Sequence, residues 1–199
     1  MASQVPQVVD PEVSKRKFDQ MIESFGRYED TYRARGWFLI TAAFPEAVVL
    51  MAAPQLEPPT LVACLKLDYT NYDAYPPSVT FVHPFNLKPL MASEVRLPLF
   101  QQVALGEDAT PIAGIGLKQR LPLLQAYQPT DLPFLCLAGV LEYHMHPGHT
   151  GDPWELYRCE GRGRIEYLLE QIDKYGVRPL TGYALGLRIT GYTIGEPPR

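Results

Sequence analysis

The residues best suited to chemistry lie in one stretch of the chain, residues 133–154. This stretch holds Cys136 and three of the four histidines, His144, His146 and His149. A cysteine attacks a carbon centre as its thiolate, and a neighbouring imidazole favours that form. Clustered imidazoles can instead bind a metal ion. We therefore expect any catalytic or metal chemistry of the chain to lie here.

The composition is that of a globular protein. Hydrophobic residues make up 46% of 199 residues, which is enough for one domain with a proper core. A net charge of −4 offers no electrostatic footprint for nucleic acid or an anionic membrane. No apolar run approaches the roughly 20 residues that cross a bilayer, and the first residues lack the pattern of a signal peptide. Three cysteines do not suggest a disulfide framework. These features predict a cytoplasmic protein.

The elements that must position this stretch begin with a helix and continue as a sheet. Asp10 and Pro11 predict a helix start, and apolar residues then recur at helical spacing as far as Gly36. Four short runs rich in Val, Ile, Leu and aromatic residues follow, with short connections that force an antiparallel meander. The pattern predicts an α+β fold. The expected strands are 37–42, 47–53, 61–69 and 78–83.

The chain is expected to form one domain with an insertion. Residues 1–10 are predicted to be a flexible lead, and residues 11–199 a single domain. Residues 87–131 contain five prolines and no sustained period, so we expect an ordered insertion with short pieces of structure. One more strand-like run covers residues 183–194.

A second long helix is predicted after the cysteine stretch. The run Asp152-Pro-Trp-Glu155 has the form of a capping box, in which Asp152 caps the helix that follows. That helix is expected to run toward Tyr175 and to bend or split at Gly161 and Gly163.

The order of these motifs resembles the ubiquitin-conjugating (UBC) family. The run Tyr75-Pro-Pro-Ser-Val-Thr-Phe-Val-His-Pro84 is similar to the family's strand that leads to its His-Pro-Asn motif. Phe134-Leu-Cys-Leu137 is similar to the segment that carries the family's active cysteine, and Trp154 to the tryptophan that follows it. The resemblance covers about residues 12–180. It implies an N-terminal helix, a four-stranded antiparallel meander, an extended segment with the cysteine, and C-terminal helices.

The resemblance implies acyl transfer on a cysteine, and that chemistry predicts a role for each candidate residue. Cys136 would accept a ubiquitin-like protein as a thioester from an activating enzyme and yield it to an amine. His144 or His146 would donate to the oxyanion or deprotonate the attacking lysine. Asn86 would supply the oxyanion donor if the insertion folds back toward the cysteine. Tyr143 and Asp152 are further candidates for the site.

The chain departs from the eukaryotic pattern in ways that look like divergent bacterial relatives. Phe85 follows His83-Pro84, so Asn86 comes one place late and far ahead of the cysteine. The genes of such bacterial relatives lie beside those of an activating enzyme, a ubiquitin-like protein and a metal-dependent JAB-type peptidase, and some act in antiviral defence against phage. The resemblance implies these partners and no cofactor.

Two functions of other classes stand beside this expectation. The first is a non-catalytic UBC-like scaffold that binds a ubiquitin-like protein or an activating enzyme. The second is a small zinc hydrolase with His144, His146 and His149 as ligands, joined by Cys136 or Cys159.

Some residues of reactive types are expected to be structural. Cys64 alternates within a strand and is predicted to be a core residue. Cys159 is predicted to pack on the second long helix, and Trp154 to lie in the core. His83 is expected to hold its loop by hydrogen bonds.

Overall fold

A four-stranded antiparallel sheet with helices around it forms the fold of the described residues, which are 6–104, 118–149 and 151–184 of this computed structural model. The α-helices are α1 (Pro11–Gly26), α2 (Glu29–Ala34), α3 (Leu141–Met145) and α4 (Ile165–Ile172). The strands of the main sheet are β1 (Trp37–Ala43), β2 (Glu46–Ala53), β3 (Thr60–Asp68) and β4 (Ser78–Phe81). Two smaller pairs follow, β5 (Phe100–Ala104) with β6 (Lys118–Pro122) and β7 (Leu124–Gln125) with β8 (Phe134–Leu135).

The first helix begins where the sequence predicts. The Asp10 carboxylate accepts a hydrogen bond of 3.0 Å from the Glu12 N–H, with proline in the first turn, as expected of an N-cap. The prediction of one continuous helix to Gly36 is wrong, because the backbone leaves the helical region at Tyr28 (φ −115°, ψ 19°) and restarts as α2. The first helix ends at Gly26, and glycine is a poor helix former, which favours a break at this point.

The main sheet is the meander that the sequence predicts. Its strands pair antiparallel in the order β1-β2-β3-β4. Each strand lies within two residues of its predicted bounds. Side chains alternate between the two faces, so Val49 and Leu65 enter the main core, while Val48 and Cys64 join a second apolar cluster. The prediction that Cys64 is a core residue is confirmed.

One main core joins the helices to the sheet. The backbone N–H of Ile165, at the start of α4, lies 3.3 Å from the Met21 sulfur on α1, so the two helices meet directly over the sheet. Trp154 is buried in the same core, as predicted. The largest fully buried side chains are Trp37, Tyr69, Phe18, Phe25, Phe81, Met21, Met51, Leu65, Leu67, Leu135, Ile165 and Leu168.

Several described residues of the predicted insertion at 87–131 contribute to the core. Leu97, Leu99 and Leu123 are buried in the main cluster, and β5 and β6 pair antiparallel. Leu123 also donates its N–H to the Leu99 carbonyl at 2.9 Å. This part of the chain leads directly into the cysteine segment.

The predicted long helix at 152–175 is wrong in its first half. Residues Trp154–Leu156 and Arg158–Glu160 form two 3-10 turns, and no side chain caps either of them. Gly161 then takes a left-handed conformation (φ 75°) before α4 begins, so the chain is interrupted at one of the two predicted glycines. A π-helical turn, Asp173–Val177, follows α4. The Asp152 carboxylate does not cap the turns because two tyrosine hydroxyls occupy it.

The described residues near the two ends of the chain lie outside the helices and strands. Near the N-terminus, the backbone N–H groups of Val8 and Val9 donate to the Asn71 side chain at 2.9 and 3.2 Å. The predicted strand at 183–194 lies almost wholly outside the described residues, and Tyr183 and Ala184 belong to no regular element. In the described part of the chain, no helix has the length and apolar content needed to cross a membrane.

Replacing Gly36 by alanine is expected to destabilise the fold. Gly36 has φ 85°, and a Cβ atom there would lie 2.4 Å from the backbone oxygen of Ala52. A non-glycine residue in strained backbone costs about 1–3 kcal/mol. The matched control is Gly26→Ala in α1, where a Cβ meets nothing within 4 Å and alanine is the better helix former. Urea unfolding should show a loss for Gly36→Ala and none for Gly26→Ala; equal stabilities would contradict this account of the turn.

Candidate functional site

Cys136 lies at the end of a short strand pair. β7 and β8 pair antiparallel, with Leu124 opposite Leu135, and the Cys136 N–H donates to the Leu123 carbonyl at 2.6 Å. Leu135 is fully buried, whereas the Cys136 side chain is partly exposed. The strand pair therefore anchors the backbone of a half-buried cysteine.

The Cys136 sulfur contacts a histidine. Its Sγ lies 3.4 Å from the Nε2 atom of His149. Burial raises the pKa of the Cys136 thiol, because desolvation disfavours the thiolate. The thiol is therefore protonated at neutral pH, and it can donate its hydrogen to the imidazole nitrogen.

His149 is held by a stacked aromatic ring. The imidazole lies against the ring of Tyr143, with 4.0 Å between ring centroids and an interplanar angle of 26°. Tyr143 belongs to α3, while His149 ends the 3-10 turn Pro147–His149. The turn is closed by a hydrogen bond of 2.9 Å from the His149 N–H to the His146 carbonyl.

A carboxylate fixes Tyr143 in turn. Asp152 accepts hydrogen bonds from the hydroxyls of Tyr143 and Tyr157, one on each carboxylate oxygen. Desolvation opposes ionisation of Asp152, but these two hydroxyls outweigh it and lower the pKa of the carboxyl. Desolvation and the same carboxylate raise the pKa of Tyr143 well above its ordinary value. We call Asp152, Tyr143 and Tyr157 the Asp152 cluster.

Both ring nitrogens of His144 form hydrogen bonds within the protein. Nε2 accepts a hydrogen bond of 3.1 Å from the Gly139 N–H. The proton is therefore on Nδ1, which donates to the Asp152 carbonyl at 2.9 Å. His144 links the segment after the cysteine to the Asp152 backbone, and its geometry is that of a structural residue.

His146 is likewise occupied at both nitrogens. Nδ1 accepts from the Gly148 N–H at 3.2 Å, so Nε2 carries the proton and donates to the Tyr127 hydroxyl at 3.1 Å. The ring stacks on Phe134 with 5.2 Å between centroids. His146 therefore joins the 87–131 insertion to the cysteine segment.

Asn86 lies in the loop after β4. Its side-chain oxygen accepts a hydrogen bond of 3.0 Å from the Lys88 N–H, and the residue is exposed. His83 accepts from the Phe85 N–H at 3.3 Å in the same loop. Among the hydrogen bonds of the described residues, none joins Asn86 to Cys136. The structure brings Cys136 together with His149 and places Asn86 in contacts of its own.

The described residues contain no group of three or more His, Cys, Asp or Glu side chains that could hold a metal ion. The expected zinc ligands His144 and His146 use both ring nitrogens in hydrogen bonds to the protein, and a metal would need a free lone pair on each. Cys159, the other candidate ligand, is exposed on the second 3-10 turn. The prediction that Cys159 packs as part of a long helix is wrong, because the residue lies exposed on a 3-10 turn.

The site is attached to the sheet through the proline-rich loop before β4. The Leu141 N–H donates to the Pro77 carbonyl at 2.9 Å, and Glu142 accepts from the Ser78 hydroxyl. On the far side of the site, the Trp154 indole N–H donates to the Asp73 carbonyl at 2.9 Å. These contacts fix α3 and the 3-10 turns relative to β4.

The sequence predicts His144 and His146 as the histidines that act with Cys136, and His149 as a metal ligand, whereas the structure places His149 at the sulfur. Tyr157 is not among the predicted site residues. The turn residues Pro147-Gly148 were the available signal, because a turn there brings the following residue back toward α3. No pattern in the sequence indicates that Tyr143 and Tyr157 share one carboxylate.

The architecture and the site define a mixed α/β protein with a four-stranded antiparallel sheet and a cysteine–histidine pair beside it. The chain belongs to the Y4jH-like (Y4jH) family, whose match covers residues 9–180 and so includes the whole site. A protein of Sinorhizobium fredii (strain NBRC 101917 / NGR234), uncharacterized protein y4jH, is 38% identical over 197 residues, which are 97% of this chain and 96% of the relative.

The three cysteines are expected to react with iodoacetamide at different rates. Cys159 is exposed, Cys136 is partly exposed with a raised thiol pKa, and Cys64 is buried. Because the thiolate is the nucleophile, the folded protein at neutral pH should be alkylated first at Cys159, then at Cys136, and last at Cys64. Peptide mapping by mass spectrometry measures the order; alkylation of Cys64 before Cys136 would contradict the described burial.

Asp152→Asn is expected to destabilise the protein in a pH-dependent way. Hydrogen bonds to a charged group contribute about 1.5–3 kcal/mol each, and the variant weakens two of them. Because the folded-state pKa of Asp152 is lowered, its stabilisation is present above the unfolded carboxyl pKa of about 3.9 and is lost as pH falls through the folded value.

The control for this variant is Asp19→Asn, which removes an exposed i,i+4 ion pair with Lys15 and should leave stability near that of the wild type. Urea unfolding at neutral and acidic pH measures both variants. An equal, pH-independent effect of the two substitutions would contradict the role of the Asp152 cluster.

Proposed function

We propose that this chain is a UBC-like carrier that accepts the acyl group of a ubiquitin-like protein on Cys136. The observation that carries the proposal is that the sulfur of Cys136, a partly exposed residue, lies 3.4 Å from the His149 Nε2 atom. The order of elements also supports it: a helix, a four-stranded meander, a Tyr-Pro-Pro loop, a cysteine on an extended segment, and a helix after a buried tryptophan.

The contacts of the site suit acyl transfer. The thiol of Cys136 would attack the thioester on the activating enzyme, and His149 would take its proton as the new thioester forms and the donor thiol leaves. A raised thiol pKa is compatible with this step, because the incoming thioester is already activated and a base lies at the sulfur. An amine would then attack the carbonyl carbon and release Cys136.

The partners of this proposal follow from the resemblance to the UBC family. They are a ubiquitin-like protein and its activating enzyme, with a JAB-type peptidase in the same pathway, and the setting is a bacterial cytoplasmic conjugation pathway that acts against phage. Glu142, Ser78 and the loop before β4 hold the cysteine segment in place, so a protein partner would meet a preformed site.

A non-catalytic UBC-like scaffold is the second candidate. The specific observation in its favour is that the Cys136 thiol is half-buried with a raised pKa, as in cysteines that only pack. A scaffold would bind the same protein partners without a covalent bond.

The test combines the purified chain with a ubiquitin-like protein and an activating enzyme from its source organism, and with ATP. We expect an adduct on the wild type that thiol reductant reverses. Cys136→Ser should give an oxyester that resists reductant, and Cys159→Ser, which changes the exposed cysteine, should behave as the wild type. Intact-mass spectrometry measures all three.

Two results would contradict the carrier. The first is the absence of any adduct when the chain binds its partners, which would favour the scaffold. The second is a reductant-sensitive adduct on Cys136→Ser, which would place the acceptor at another cysteine.

A further inference from the structure

Acylation of Cys136 would change the role of His149. In the free protein the Cys136 thiol hydrogen can occupy the Nε2 lone pair of His149 across 3.4 Å. Once the sulfur carries an acyl group, that hydrogen is gone and Nε2 is free to accept from another donor. The thioester carbonyl carbon is bonded to the same sulfur, so a water molecule between Nε2 and this carbon has the geometry of general-base catalysis.

Among the three histidines of the cysteine stretch, His149 is the only one whose ring nitrogens are not both bonded to other groups in the described contacts. His144 and His146 use both ring nitrogens in hydrogen bonds to the protein, whereas the described hydrogen bonds of the His149 ring comprise only its contact with Cys136. His149 is therefore the base that the site offers to a nucleophile at Cys136.

A third group orients this base, as nucleophile–base pairs require. The Tyr143 ring stacks on His149 at 4.0 Å, and its hydroxyl is tied to the Asp152 carboxylate. Tyr143 does not contact the sulfur in the described hydrogen bonds, so it acts through His149 as a positioning residue.

We propose that Cys136 and His149 together hydrolyse acyl thioesters, so that an acyl group on Cys136 is released to water when no amine is present. This inference rests on the proposed acylation of Cys136. The water oxygen attacks the thioester carbonyl carbon while His149 Nε2 takes a proton from the water. The tetrahedral intermediate then collapses, the carbon–sulfur bond breaks, and His149 returns the proton to the sulfur. The products are a carboxylic acid and the free thiol. The activity limits the lifetime of the charged protein.

The experiment uses a small probe, so that it needs no activating enzyme. The probe is a short peptide with a C-terminal glycine, as its 2-mercaptoethanesulfonate thioester, because glycine places no side chain beside the reacting carbon. The full chain carries Cys159→Ser in every variant, so that the exposed cysteine takes no probe. It is acylated with excess probe at mildly alkaline pH, the probe is removed, and the loss of the acyl group from Cys136 is followed by intact mass.

We expect His149→Gln to slow the loss of the acyl group by about 100-fold, the size of a typical general-base contribution. His146→Gln, which changes a neighbouring imidazole with engaged nitrogens, should lose the acyl group at the wild-type rate. Tyr143→Leu, which removes the stacked ring and leaves His149, should slow the loss by a smaller factor and serves if His149→Gln does not fold. Cys136→Ala in the same Cys159→Ser background should form no adduct.

The inference is overturned if His149→Gln loses the acyl group as fast as the wild type, or if the probe does not acylate wild-type Cys136. These failures are separate from failure of the carrier. If the activating enzyme acylates Cys136 but the loss of the acyl group does not depend on His149, the chain is a carrier without this hydrolase activity. A chain that hydrolyses the probe but is never charged has the activity without the carrier function.

Discussion

The arrangement of the site depends on one carboxylate, that of Asp152. Its two oxygens accept the hydroxyls of Tyr143 and Tyr157, and its backbone carbonyl accepts from His144. Because the carboxylate is ionised and fully engaged, the two aromatic rings have one preferred position. Tyr143 in turn sets the plane of the His149 ring by stacking on it. His149 is the only described hydrogen-bond partner of the Cys136 sulfur. A single acidic residue thus connects the helix before the turn to the turns after it.

The sheet provides the rigid support on which these turns rest. The loop before β4 accepts hydrogen bonds from α3 and from the Trp154 indole, and a Cβ atom at Gly163 would lie about 3 Å from the Tyr72, Pro77 and Trp154 side chains. The site is therefore packed closely against the proline-rich loop. Binding or catalytic residues on loops held by a rigid scaffold are a common arrangement, and here the scaffold is the antiparallel meander.

The fold was predictable from sequence where short-range pattern decides it. The four strands follow from period-two alternation and short connections. Asp10 caps α1 because its carboxylate is next to the free N–H groups of the first turn, and Pro11 fits that turn. The capping-box prediction at Asp152 failed because long-range competition decided it: the carboxylate bonds tyrosines five and nine positions away instead of the N–H groups of the next turn. The same limit applies to the site. The composition predicts chemistry in the stretch around Cys136, but the turn at Pro147–His149, which brings His149 to the sulfur, is visible only in the structure.

The measurement that tests the central contact most directly is the ring-nitrogen chemical shifts of the four histidines, recorded by long-range proton–nitrogen correlation in the wild type and in Cys136→Ala. If the sulfur bonds the imidazole, removal of the sulfur should move the His149 signals and leave those of His83, in the loop after β4, unchanged. Identical His149 signals in the two proteins would contradict the contact, and with it the chemistry assigned to the site.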